Sequence, residues 1–186
     1  MRVTASVMVS GSHALAGAVR ASVRDVPDFP KAGIVFKDIT PLLADAPLFA
    51  RVIDALAAPY RASGITHVVA VESRGFIFGA PVAQALGVAF VPVRKPGKLP
   101  SRTIRETYDL EYGTDTLEMH ADALGARARV LIVDDVLATG GTAAATCRLV
   151  ERAAGQVEGC AFLIELTLLN GREPLSGRKI ESVVQY

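Results

Sequence analysis

The sequence is poor in the residues that build disulfide frameworks, zinc sites and membrane spans. Its 186 residues include two cysteines, Cys147 and Cys160, and three histidines. The cysteines form no CxxC pair, so we expect neither a disulfide scaffold nor a zinc site, but two buried thiols in a reducing compartment. No apolar run approaches the ~18–20 residues that a membrane helix requires. These absences favour a cytoplasmic location and no membrane partner.

Charge of either sign is also not in excess. Lys and Arg total 20 against 19 for Asp and Glu, which gives a formal net charge of +1. A general nucleic-acid binder carries a strongly basic surface, so no nucleic-acid partner is expected. A small anionic ligand held by a local cluster remains compatible with this balance. The 51% hydrophobic share argues against intrinsic disorder.

The amino-terminal stretch lacks the alternation of apolar runs and loops that marks the rest of the chain. Val3 to Val9 is mildly apolar, but it is short and interrupted by polar residues, so a secretory signal is not expected. We expect an extension that leads into a first helix near Ala14 to Ser22. Residues 1–22 are therefore assigned to this N-terminal extension and the start of the first helix, and residues 23–186 to a single domain.

From Val23 onward, short apolar runs rich in β-branched residues alternate with loops and amphipathic helical segments. Strands that are apolar on both faces and separated by helices predict an α/β protein with a parallel sheet covered on both sides. In such sheets, ligands bind beyond the carboxyl ends of the strands. The expected strands are His67–Val71, Val88–Val93, Val130–Val133 and Gly159–Leu166.

The strongest local signal runs from Val130 to Thr142. Four apolar residues predict a buried strand, the carboxylates of Asp134 and Asp135 follow it, and a turn of small residues leads into a helix. Glycines allow backbone N–H groups to converge on an anion, and the helix amino terminus adds unsatisfied donors. No lysine follows the glycines, which excludes a Walker-type triphosphate loop. We expect this small-residue turn to hold one phosphate monoester and call it the phosphate turn. It comprises Ala138, Thr139, Gly140, Gly141 and Thr142.

The acidic pair would repel a phosphate unless it faced another group. Carboxylates accept hydrogen bonds from hydroxyls, so a ribose carrying a 5′-phosphate suits both Asp134 and Asp135 and the turn that follows them. Two solvated acids beside an ordinary helix start are the alternative interpretation.

This stretch resembles the phosphoribosyl-pyrophosphate signature of the type I phosphoribosyltransferases, and further segments resemble the adenine phosphoribosyltransferases among them. The similarity covers about residues 20–186. It implies a central parallel sheet flanked by helices, a small N-terminal hood and a flexible lid loop. The segments that carry it are Phe29-Pro30, Gly33 to Ile39, Glu72 to Phe76, Arg94 to Pro100, Leu110 to Gly113, Glu165 to Thr167 and Val184 to Tyr186.

The resemblance assigns the hood to base recognition. Val35, Phe36 and Lys37 would bind the purine, with the aromatic ring stacking on the base and backbone groups reading its edge. Phe36 as an ordinary core residue is the alternative. Arginine is common in the family at the position of Lys37, so a side-chain contact there would differ in affinity.

The resemblance assigns the leaving pyrophosphate to a group of cations. The stretch from Arg94 to Asp115 has no clear periodicity, which predicts a lid or binding loop, with a plain surface loop as the alternative. Magnesium would be held mainly by the substrate, with no dedicated protein site. The residues expected to neutralise the pyrophosphate are Arg74, Arg94, Lys95 and Lys98.

Catalytic assistance to the base is assigned to Glu111, with Tyr112 beside it, and Arg74 completes the predicted catalytic set. Spacing does not distinguish Glu111 from Glu106. The choice rests on the similarity of Leu110 to Gly113 to the family segment.

The resemblance implies a purine salvage enzyme that converts adenine and 5-phospho-α-D-ribose 1-diphosphate (PRPP) to AMP and diphosphate. It also implies Mg²⁺ as cofactor and a homodimer. Two alternatives stay open, a phosphoribosyltransferase for another base and a non-catalytic PRPP sensor of the same fold. An assay in which other bases compete with adenine would test the first alternative. Salt-sensitive nucleic-acid binding would favour the second.

Overall fold

The computed structural model describes residues 3–109 and 113–186, and the chain falls into two units, Met1–Ala55 and Leu56–Tyr186. The helices are α1 (Val3–Ser22), α2 (Thr40–Ala44), α3 (Ala46–Ala57), α4 (Arg74–Leu86) and α5 (Gly141–Arg152). The strands are β1 (Arg24–Pro27), β2 (Val35–Asp38), β3 (His67–Val71), β4 (Ala89–Val93), β5 (Thr103–Asp109), β6 (Thr114–His120), β7 (Arg129–Leu137), β8 (Gln156–Glu165) and β9 (Ile180–Gln185). Among the described helices, none combines the length and apolar character needed to cross a bilayer. The division predicted at residue 22 stays a prediction.

The first unit contains a longer first helix than the sequence suggested. Helix α1 begins at Val3 instead of near Ala14, and no proline between these two residues interrupts it. Strands β1 and β2 then pair antiparallel. The rings of Phe29 and Phe36 pack edge to face with centroids 5.2 Å apart.

The second unit is built on the predicted parallel sheet, with strand order β4-β3-β7-β8-β9 and parallel pairing throughout. The chain moves from β3 through α4 to β4 on one side, and from β7 through α5 to β8 on the other. Right-handed crossovers then place the two helices on opposite faces of the sheet. The strand order therefore reverses between β3 and β7, and a crevice for ligand opens at the carboxyl ends of these two strands.

Strand β7 is longer than predicted. We expected it to end at Val133, but it continues to Leu137 and includes both acids. The register explains the difference, because β3 stops pairing at Val133 whereas β8 supplies partners as far as Leu137. The acidic pair consequently lies where one neighbouring strand has ended and the other still holds the backbone.

The stretch from Arg94 to Asp115 is more regular than expected. Strand β5 lies within it and pairs with β6, which begins at its end, in an antiparallel hairpin from Thr103↔His120 to Asp109↔Thr114. Cross-strand pairs such as Thr107 with Thr116 supply the order that the sequence pattern did not reveal. Strand β9, which we did not predict, completes the edge of the main sheet.

The core of the second unit lies around β7. Both cysteines are free and buried, as predicted. Close packing around this strand fixes the position of its carboxyl end. Fully buried core side chains include Val69, Leu117, Met119, Val130, Ile132, Leu149 and Phe162.

Candidate active site

A cavity opens where β3 and β7 end, at the point where the strand order reverses. Arg74, Lys95, the acidic pair and the whole small-residue turn line it. The sequence predicted all of these as ligand contacts. The full lining consists of Val71 to Arg74, Lys95, Tyr108, Asp115, Asp134 to Val136 and Ala138 to Ala143.

The turn after β3 brings Arg74 against the acidic pair. The Glu72–Ser73 peptide bond is cis. Arg74 is the first residue of α4, and its Nε lies 2.9 Å from Asp135 Oδ2. Gly75 allows the start of α4 to lie close to the acidic pair, since a Cβ there would lie 2.7 Å from Asp134 Oδ1. Any larger residue at position 75 would push the first acid out of place.

The two carboxyl groups have raised pKa values. Burial is the main cause for both, and for Asp134 the neighbouring charge of Asp135 raises the pKa further, well above the ordinary value. Arg74 opposes the rise at Asp135. Asp134 Oδ1 also accepts the backbone N–H of Asp135 at 2.9 Å. Ribose hydroxyls would stabilise the charged forms of these acids by donating hydrogen bonds to them.

The small-residue turn presents backbone donors to the cavity. Helix α5 begins at Gly141, directly after Gly140, whose φ of +81° is left-handed. The first N–H groups of a helix have no intrahelical acceptor and attract anions. Ala144 is the first residue whose N–H turns back into the helix, to Gly140 O at 2.9 Å. The N–H groups of Gly141, Thr142 and Ala143 are therefore available to a phosphate.

The segment that follows β8 supports this turn from behind. A Cβ on Gly140 would overlap the carbonyl oxygen of Gly171, and a Cβ on Gly171 would overlap that of Ala138. Leu166 donates its N–H to Leu137 O at 2.9 Å. Two backbone segments thus meet without intervening side chains, which fixes the shape of the phosphate turn.

Glu165 anchors this supporting segment. Its carboxylate is buried and binds Arg172 through two hydrogen bonds of 2.6 and 2.7 Å. Ser182 and Gln185 of β9 donate to the same group at 2.7 and 3.1 Å. The hydrogen bond from Arg172, against the opposing effect of burial, holds the pKa of Glu165 at about 2.

Replacing Glu165 by glutamine is expected to lower the free energy of unfolding by about 2–3 kcal/mol at pH 7. A depressed pKa stabilises the fold above the unfolded-state value, and that stabilisation is lost as the pH falls towards the folded-state pKa. The difference between variant and wild type should therefore shrink as the pH is lowered from 5 towards 3. Urea unfolding at several pH values measures it.

Glu151→Gln provides the matched control. Glu151 also pairs with an arginine, Arg178, at 2.7 Å, but its side chain is 46% exposed. An exposed pair contributes only about 0–1 kcal/mol. Equal losses in the two variants would contradict the assignment of Glu165 as a buried anchor.

The β5–β6 hairpin supplies two cavity residues that sequence reasoning missed. Asp115 forms an ion pair with Lys95, and its Oδ2 also accepts the Tyr108 hydroxyl at 3.3 Å. The same hydroxyl lies 3.0 Å from Thr142 Oγ1 in the phosphate turn. Recognising a hairpin in this stretch would have placed Tyr108 and Asp115 as cross-strand partners.

Glu106 does not line the cavity. It lies on the same face of β5 as Tyr108, two residues further from the site, and pairs with Arg148 at 2.5 Å and Arg152 at 2.9 Å on α5. The hydrogen bond from Arg148 is the main reason why the pKa of Glu106 is below its ordinary value. A carboxylate held this way is a poor proton acceptor. Its rival for the catalytic role, Glu111, lies with Leu110 and Tyr112 outside the described residues.

Two of the predicted cations lie beside the cavity without lining it. Arg94 Nε donates to Glu72 Oε2 at 2.6 Å, and its Nη1 donates to the carbonyl oxygen of Lys98 at 3.1 Å. Lys98 itself is exposed. Arg94 thus ties the turn after β3 to the segment that precedes the hairpin.

The predicted base-binding residues all lie on β2 of the first unit. Val35 is 50% exposed, and Phe36 is half-buried, so the alternative that Phe36 is an ordinary core residue is not supported. Lys37 Nζ donates to Asp25 Oδ1 at 2.6 Å. Their role in binding the base stays a prediction.

The described residues contain no group of three or more His, Cys, Asp or Glu side chains suited to holding a metal ion. The carboxylates of Asp134 and Asp135 provide oxygen donors at the cavity, which fit a magnesium ion that takes most of its ligands from substrate and water.

Comparisons with known proteins identify the relatives of this chain. A profile of the Phosphoribosyl transferase domain matches residues 42–180. The adenine phosphoribosyltransferase of Myxococcus xanthus (strain DK1622) is 57% identical over 168 residues, which are 90% of this chain and 91% of that protein.

Solved structures give the same result. The adenine phosphoribosyltransferase of Rhodothermus marinus DSM 4252 superposes with a TM-score of 0.89 at 55% identity, covering 94% of this chain and 99% of that one. The Saccharomyces cerevisiae enzyme, solved with an imino-altritol bisphosphate and adenine, gives a TM-score of 0.87 at 40% identity, covering 92% and 99%. The chain therefore belongs to the adenine phosphoribosyltransferase family.

Proposed function

We propose that this protein is a purine salvage enzyme that transfers the phosphoribosyl group of PRPP to adenine, forming AMP and diphosphate. The observation that carries the proposal is the cavity between β3 and β7, where cations, an acidic pair and a phosphate turn lie together. Each matches one part of PRPP, namely its diphosphate, its ribose hydroxyls and its 5′-phosphate. Membership of the adenine phosphoribosyltransferase family supports adenine as the base.

The phosphate turn would fix one end of the donor. The free N–H groups of Gly141, Thr142 and Ala143 and the helix dipole favour a dianionic 5′-phosphate. The acidic pair would accept hydrogen bonds from the two ribose hydroxyls. Holding the sugar at both points orients its anomeric carbon and removes most of the entropic cost of bringing the reactants together.

The cations would stabilise the departing diphosphate. Bond cleavage at the anomeric carbon leaves positive charge on the ribosyl ring and transfers negative charge to the leaving group. Arg74 and Lys95 line the cavity, and this position supports assigning them to neutralise that charge. Arg94 and Lys98 would support them from beside the cavity.

Magnesium is proposed to bind with PRPP, supported by family membership and by the oxygen donors of the acidic pair. When bound, Mg²⁺ neutralises part of the diphosphate charge. The phosphate turn and the acidic pair would position the sugar.

The incoming base would be held by the hood strand and assisted by Glu111 and Tyr112. Val35, Phe36 and Lys37 are proposed to stack on adenine and read its edge, and the Glu111 carboxylate to manage the purine proton or stabilise the ribosyl cation. We also infer a homodimer, on the family resemblance alone, and a cytoplasmic location, on the sequence features described above.

The test is to mix the full chain with adenine, PRPP and Mg²⁺ and to measure AMP and diphosphate. We expect AMP formation that requires adenine, with no comparable hydrolysis of PRPP in its absence, because a closed site excludes water. Hypoxanthine and guanine should compete poorly. PRPP binding without turnover would favour the sensor alternative, and turnover of another base would change the assigned substrate.

A further inference from the structure

The cavity cations of this protein are paired with carboxylates of the chain itself. Arg74 lies against Asp135, and Lys95 forms an ion pair with Asp115. Asp135 belongs to the proposed ribose site, so its carboxylate has a further role there. Asp115 differs from Asp135, because the proposed function assigns it no role in binding or catalysis.

We propose that Asp115 is an internal counter-anion that the diphosphate group must displace from Lys95, so that this residue sets the affinity of the site for diphosphate and PRPP. The inference rests on the proposed function. It identifies an affinity-determining residue on the hairpin that does not take part in the chemistry.

The geometry makes such an exchange inexpensive. The Lys95 and Asp115 side chains are 41% and 23% exposed, so solvent already reaches the pair. The lysine ammonium is a compact charge on a flexible stem, with three donors that reorient readily. A diphosphate carries several negative charges and competes strongly with a single carboxylate for this cation.

Asp115 also keeps other partners when Lys95 leaves. Its Oδ1 accepts the Thr116 N–H at 2.8 Å and its Oδ2 accepts the Tyr108 hydroxyl at 3.3 Å. Although partial burial acts in the opposite direction, hydrogen bonds from Lys95 and from the Thr116 N–H hold the pKa of Asp115 below its ordinary value. The carboxylate is therefore charged at neutral pH and is not left without hydrogen bonds after the exchange.

The opposite role is that Asp115 orients Lys95 for the ligand. The two roles predict changes of opposite sign in the affinity for diphosphate when Asp115 is removed. If Asp115 competes with the ligand, its removal strengthens diphosphate binding, whereas if it orients Lys95, its removal weakens binding.

The experiment is calorimetric titration of the full chain with inorganic diphosphate and with PRPP, both in the presence of Mg²⁺. We expect Asp115→Asn to tighten both affinities by roughly threefold to tenfold. The KM for PRPP should fall by a comparable factor while the KM for adenine stays unchanged. Asp115→Ala should change affinity in the same direction and provides a second variant should the first unfold.

Two controls isolate the cause. Asp109→Asn removes an exposed carboxylate from the same hairpin that does not line the cavity, and it should leave both affinities unchanged. In a Lys95→Met background, Asp115→Asn should give no gain, because the cation for which the two anions compete is absent.

An unchanged or weakened affinity in Asp115→Asn would overturn the inference, as would a full gain in the Lys95→Met background. A wild-type chain that binds neither diphosphate nor PRPP would overturn the proposed function and this inference with it. A wild type that binds both, with no gain in the variants, overturns the inference alone.

Discussion

Glu111→Leu is expected to reduce turnover by ~10²–10⁴, the range for a positioned proton-transfer group. Binding of PRPP should stay near normal, because the phosphate turn and the acidic pair are unaltered. Steady-state kinetics with adenine and PRPP, together with calorimetric binding of PRPP, measures both effects. A fall in kcat without a matching change in PRPP affinity would identify Glu111 as acting on the base or on the ribosyl ring.

Glu106→Leu is the matched control. Sequence spacing did not distinguish the two glutamates, but Glu106 is held by Arg148 and Arg152 on α5 and does not line the cavity. We expect its replacement to leave kcat within a few-fold of wild type and to affect mainly thermal stability. A large loss of turnover at Glu106 and a small one at Glu111 would reverse the assignment.

Gly140→Ala is expected to raise the KM for PRPP by roughly 10–100-fold and to lower the free energy of unfolding by about 2–4 kcal/mol. Gly140 has a φ of +81°, and a Cβ there would overlap the backbone oxygen of Gly171. Relief of that overlap must move one of the two backbone segments, and with it the N–H groups that we propose bind the 5′-phosphate. The KM for adenine should change far less.

Gly87→Ala separates backbone strain from this overlap. Gly87 ends α4 with a similar φ of +68°, yet a Cβ there meets no other atom within 4 Å. We expect a loss of about 1–2 kcal/mol in stability and no change in the KM for PRPP. If both variants raised that KM equally, general destabilisation would account for the effect and the contact between Gly140 and Gly171 would not.

The two predictions address different parts of the same site. The phosphate turn is assigned to binding of the sugar donor, so its distortion should appear in the KM for PRPP. Glu111 is assigned to the reacting centre, so its loss appears in kcat. A result in which both variants changed the same parameter would contradict this division of roles.

Local sequence was sufficient for the features that depend on neighbouring residues. The apolar run of β3, the Arg74 turn and the small-residue turn before α5 were found at their positions, since each has its own chemistry of burial, charge or backbone freedom. The parallel sheet also followed, because strands apolar on both faces must be covered by helices.

Pairing between distant segments was not visible in the sequence. The extension of β7 to Leu137 depends on β8, and the β5–β6 hairpin depends on pairing across residues that show no clear alternation. The contact between Gly140 and Gly171 joins segments about thirty residues apart. In each case backbone atoms take part in the pairing, and because these are the same in nearly every residue they leave little trace in the sequence.

The sequence by itself determined the fold class, the family and the positions of the acidic pair and the small-residue turn, because strand burial and helix termini are set by local side chains. Only the tertiary structure separated Glu106 from the cavity and brought Asp115 and Tyr108 into it. These placements depend on how β5 packs against α5 and on which strand partners each residue meets. Ion pairs between remote residues are decided by packing, and packing is a property of the folded chain.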